Sequence, residues 1–77
     1  MTRFYGVKEL PGDRVAREFQ KVMEEVVSHL REGAGVSLTV RLEVEATKPG
    51  GFSDREVRVV SENARTLRFE EAGFEES

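Results

Sequence analysis

Residues 36–46, VSLTVRLEVEA, carry Val36, Leu38, Val40, Leu42, Val44 and Ala46 at every even position and Ser37, Thr39, Arg41, Glu43 and Glu45 at every odd one. Side chains alternate across a strand, so unbroken period-two patterning predicts a β-strand with one face in a core and the other in water. At ~3.3 Å per residue such a strand reaches roughly 36 Å, long enough to be the spine of a small sheet.

A spine of this kind needs a cover, and the preceding segment has the right pattern. Across 14–32 the apolar residues Val15, Phe19, Val22, Met23, Val26, Val27 and Leu30 draw one stripe on a 3.6-residue period. Pro11-Gly12-Asp13 reads as a turn that delivers Asp13 as the N-cap, and Gly33 and Gly35 supply the stop. The predicted helix is roughly 28 Å long and lies along the even-numbered face of the spine. Met23 within the stripe belongs to that packing rather than to a docking groove. On the outer face, Arg14 with Glu18 and Lys21 with Glu25 are spaced for i,i+4 ion pairs.

Residues 3–10 read as an edge strand interrupted at Gly6, with an ordered N-terminal arm as the competing reading. Downstream, 47–51 (TKPGG) is a loop; no Gly-Lys-Ser/Thr follows it, so it is not a phosphate cradle. Ser53-Asp54-Arg55-Glu56 fits a capping box, and Val57, Val60, Ala64 and Leu67 continue at helical spacing. Alternation of Val57, Val59 and Ser61 offers a rival strand, which the cap and the longer register outweigh. Residues 67–70 alternate again and predict a short third strand. The order is therefore β-α-β-α-β: an α/β two-layer sandwich, one domain over 1–77, with two helices on one face of a three-stranded sheet. Its open edges invite pairing with a second copy or cover from another protein.

Composition bounds function. Four of the fifteen acidic residues, Glu70, Glu71, Glu75 and Glu76, lie in an acidic tail over 70–77 that is expected to fray. They leave eleven acids against twelve cations elsewhere, nine of them Arg. A balanced body with an acidic tail is not the footprint of a polyanion binder. There is no Cys, hence neither a disulfide scaffold nor cysteine-ligated zinc, which fits a reducing cytoplasm. No apolar run of membrane-spanning length occurs, and MTRFYGVKEL lacks the apolar core of a secretory signal.

Catalytic chemistry finds no constellation. His29 is the only histidine, at a helix C-terminus with no ligand or base partner. Glu24/Glu25 and Glu70/Glu71 are sequence neighbours that point apart rather than converging in a cleft. No cofactor is expected. The one cluster with recognition chemistry is Arg55, Arg58, Asn63, Arg65 and Arg68, read first as a solvated face, next as suited to a partner's carboxylates and last to nucleic-acid phosphates. Asn63 is read as a cap for the second helix and Arg65 as a partner for a sheet carboxylate.

The segments Arg3-Phe4-Tyr5-Gly6, Leu42-Glu43-Val44-Glu45-Ala46 and Val60-Ser61-Glu62-Asn63-Ala64-Arg65-Thr66-Leu67-Arg68-Phe69, with Gly73-Phe74-Glu75, together resemble the extreme C-terminal region of a family of large bacterial and archaeal AAA+-like P-loop ATPases. These are often encoded near DNA methyltransferases in phage-defence clusters. The resemblance implies a non-catalytic accessory domain that contacts the parent ATPase domains or a second copy of itself. No P-loop or metal-binding motif is present, so no catalytic residue is carried over.

Overall fold

A computed structural model describes residues 1–76, arranged as two units, Met1–Leu42 and Glu43–Ser77. The regular elements in order are α1 (Val15–Val22), a π-helical turn (Met23–Val27), α2 (Ser28–Leu30) and α3 (Asp54–Thr66). Among the described residues there is no β-strand, and the two-layer sandwich with its three-stranded sheet is overturned.

In the first unit, the 3.6-residue stripe produces the expected helical segment, through α1, the π turn and α2. Its ends differ from expectation. Arg14, not Asp13, occupies the N-cap position, and no side chain caps the helix. Asp13 instead lies 3.8 Å from the Arg14 guanidinium, and the Arg14 N–H donates back to the Pro11 carbonyl at 3.1 Å. The helix stops at Leu30, before either glycine is reached, and Gly35 takes its positive φ in the turn beyond. The Lys21 ammonium pairs with Glu18 at 3.2 Å, three residues back rather than with Glu25 four ahead.

The π turn has a local chemical cause. The Ser28 N–H donates to the Met23 carbonyl, five residues back. That leaves the Glu24 carbonyl without its α-helical donor, and the Ser28 hydroxyl takes its place at 2.5 Å. A serine that bonds back one turn distorts a helix in this way. Val27, inside the π turn, is the one buried hydrophobic side chain among the described residues, 6% exposed.

Each expected strand fails for a separate reason. At the N-terminus, the Arg3 guanidinium sits 5.1 Å from the Tyr5 ring centroid and the Phe4 ring folds back over Gly6, and 3–10 is no edge strand. Residues 36–46 have no regular structure, and none of their backbone groups makes a backbone hydrogen bond among the described residues. Alternation alone does not make a strand; a ladder partner does. Residues 67–70 are used to end α3: Phe69 N–H donates to Ala64 O and Arg68 N–H to Arg65 O, both at 3.0 Å, with Arg68 at φ 61°. That is a Schellman motif with arginine where glycine is usual.

In the second unit, α3 opens as the sequence predicts. Ser53 caps it, its hydroxyl accepting from Glu56 N–H at 3.1 Å while the Glu56 carboxylate accepts from Ser53 N–H at 2.8 Å. Residues 57–61 are therefore helix, and the rival strand is excluded.

Candidate interaction surface

On α3, a rotation of about 100° per residue brings Arg55, Arg58 and Arg65 to one side of the axis. All three are exposed. Glu62 falls between Arg55 and Arg58 on that side, and Asp54 falls beside Arg65, so the face is close to charge-balanced. Asn63 lies about 160° around the axis from Arg65 and does not join the cluster. Nor is it a side-chain cap: its main-chain carbonyl accepts from Leu67 N–H at 2.9 Å. Arg68 stands beyond the helix, in the closing turn. With no sheet among the described residues, Arg65 has no sheet carboxylate to pair with. Sequence spacing thus groups three of the five residues.

The loop before α3 is built for structure. Pro49 and Gly50, with Gly50 at φ 87°, form a turn closed by Gly51 N–H donating to Lys48 O at 2.9 Å. This aims Lys48 at the helix N-terminus, where its ammonium meets both Glu56 carboxylate oxygens at 3.0 and 3.2 Å. The Glu56 carboxyl is pulled from 4.5 to about 2, first by the Ser53 N–H, then by the Lys48 hydrogen bond. The lysine of the glycine loop is committed to a carboxylate of its own unit. Further along, Phe74 of the acidic tail stacks edge-on against Phe52, centroids 5.3 Å apart. The tail's last residue, Ser77, lies outside the described residues.

The first unit holds an open hollow of about 380 Å³ lined only by apolar side chains: Leu10, Val15, Ala16, Phe19, Val40 and Leu42. Here the predicted apposition of helix and alternating stretch survives in part, since Val40 and Leu42 face the stripe of α1. It does not amount to cover. Leu42 stays 62% exposed and Phe19 38%, and Val44, further along the same stretch, is 69% exposed. The expectation that α1 shields the even-numbered side chains is therefore overturned. Ala16 lies on the helical stripe, one turn before Phe19, and Leu10 is an apolar residue of the 3–10 segment that only the fold-back of the chain brings to this wall.

His29 is exposed at the end of the helical segment, its Nδ1 3.5 Å from a Glu32 carboxylate oxygen. Among the described residues no three His, Cys, Asp or Glu side chains gather as metal ligands. No helix there is long and apolar enough to cross a membrane. No protein-family model, curated protein or solved structure matches this chain. The framing as a sandwich-fold ATPase C-terminal domain falls with the sheet.

Proposed function

We propose that this chain is a non-catalytic interaction module whose exposed apolar side chains complete their core against a partner protein. The observation that carries this reading is the open even-numbered set at 36–46. Fully burying a Val or Leu side chain is worth ~1.5–3 kcal/mol, so leaving five of them 39–69% exposed forgoes on the order of 5 kcal/mol. Whole domains are stable by only about 5–15 kcal/mol. Exposed apolar patches mark binding surfaces, and within the first unit alone Val36, Leu38, Val40 and Leu42 are 49, 39, 53 and 62% exposed. The absence of Cys suits a reducing compartment, and we assign the module to the cytoplasm.

Amide hydrogen exchange on the dilute, monomeric chain tests the reading. Amides of 36–46 should exchange without protection there and become protected on association. Protection of those amides in a dilute monomer with a cooperative unfolding transition would overturn it.

A further inference from the structure

We propose that residues 70–76 are a strap, latched by Phe74 on Phe52, that holds the first turn of α3 closed. The device lies within the second unit and stands or falls apart from the partner proposed for 36–46.

The path of the chain supplies the strap. α3 covers ~20 Å in its thirteen residues. At its C-terminal end, Arg68 at φ 61° and the Phe69 N–H bond to Ala64 O turn the chain back, and bends follow at Glu70 and Glu71. The Phe74 ring then stands edge-on to Phe52, at the opposite end of the helix, with centroids 5.3 Å apart and planes at 68°. Residues 70–74 reach at most roughly 17 Å, so the strap has little length to spare.

Phe52 is the residue through which a latch can act on the helix. It precedes the N-cap Ser53, and Val57 lies one turn into α3. These are the two positions of a hydrophobic staple, which fixes the angle at which a chain enters a helix. Both side chains are half-buried, while Phe74 stays 40% exposed. An edge-on pair is a favoured arrangement of two aromatic rings. The peptide that follows Phe52 carries the cap: Ser53 N–H donates to the Glu56 carboxylate at 2.8 Å, and Lys48 holds that carboxylate from the loop at 3.0 and 3.2 Å. With Phe52 fixed, the Ser53 N–H stays aimed at Glu56. With its ring released, the entering chain swings and the capping box opens. A single ring pair on a short tether opens locally, without unfolding of the unit. Any ligand that takes the Phe74 ring therefore loosens the first turn of α3, at the end of the helix remote from where the tail departs.

Amide exchange by NMR on the full chain tests the strap. Phe74→Ala should speed exchange at Ser53 and Glu56 about threefold or more and leave the amides of 62–66 within about twofold of wild type. Deleting Ala72 keeps the ring but shortens the strap by ~3.3 Å, and should act as Phe74→Ala does. Phe74→Tyr, which keeps a ring, should exchange as wild type does. Wild-type exchange at Ser53 and Glu56 in Phe74→Ala or in the Ala72 deletion would overturn the proposal. So would equal acceleration along the whole of α3, which marks general loss of stability rather than a latch. Acceleration in Phe74→Tyr equal to that in Phe74→Ala would overturn the aromatic contact as its basis. Protection of the two amides that rises with protein concentration would overturn it as well, because a strap acts within one chain.

Discussion

The Lys48 ammonium lies 3.0 and 3.2 Å from the two carboxylate oxygens of Glu56, while one of those oxygens also accepts the Ser53 N–H at 2.8 Å. Charge and cap meet on one side chain, and acid should therefore act on α3 from its N-terminal end. Glu56 has its carboxyl lowered from 4.5 to about 2 in the folded chain. A lowered folded value contributes stability that is fully present above the unfolded value and is lost as pH falls from about 4.5 through about 2. A carboxyl-detected NMR titration should show Glu56 protonating near 2. Glu56→Gln should flatten the acid dependence of α3 helicity in that window.

Removing the other half of the capping box has a different signature. Ser53→Ala should cost the helix ~1 kcal/mol at neutral pH, because it deletes an acceptor for the Glu56 N–H. Faster amide exchange at Glu56 would register it. An unchanged rate would show that the cap contributes nothing.

Arg68 holds φ 61° at the end of α3, a conformation that costs a side-chain-bearing residue ~1–2 kcal/mol. Arg68→Gly should thus raise the helicity and melting temperature of the second unit, by about 1 kcal/mol. Arg68→Ala, which keeps a Cβ, should give little of that gain. Circular dichroism of the two variants separates conformational relief from loss of the guanidinium.

Ser28→Ala removes the hydroxyl that satisfies the Glu24 carbonyl. That carbonyl should then recapture the residue-28 N–H, and the π turn should rewind to regular α-helix with a gain of about 0.5 kcal/mol in propensity. Scalar couplings across hydrogen bonds report the acceptor directly. A coupling that still runs to Met23 would show that something other than the serine sets the turn.

What the sequence made legible was local. The capping box needs only Ser53 and Glu56, three apart, and it was readable to the atom. The stripe from Val15 to Leu30 was readable for the same reason, since each turn of helix bonds to the next. Residues 36–46 illustrate the limit: alternation says which side chains share a face, but a strand is completed by another backbone, and nothing in the pattern names it. The alternation at 67–70 misled because a six-to-one closing bond, not a ladder, uses Phe69. Of the candidate surface, Arg55, Arg58 and Arg65 followed from helical geometry; Asn63 was excluded by that same geometry once the helix was fixed. The apolar hollow of the first unit was legible in part: spacing set Val40 and Leu42 toward the helical stripe, while the place of Leu10 depends on chain fold-back, for which spacing carries no signal.

The bulge at Met23–Val27 means that this helix accommodates one more residue in its middle than regular winding requires. Such a helix carries slack. A one-residue deletion at Glu24 or Glu25 can be absorbed by relaxing the five-residue loop to a four-residue one, keeping Val15 and Phe19 in phase with Leu30. A deletion in α1 or α2 has no such reserve and would turn the flanking side chains away from one another. The chain can be shortened without penalty at the place where its winding is least regular.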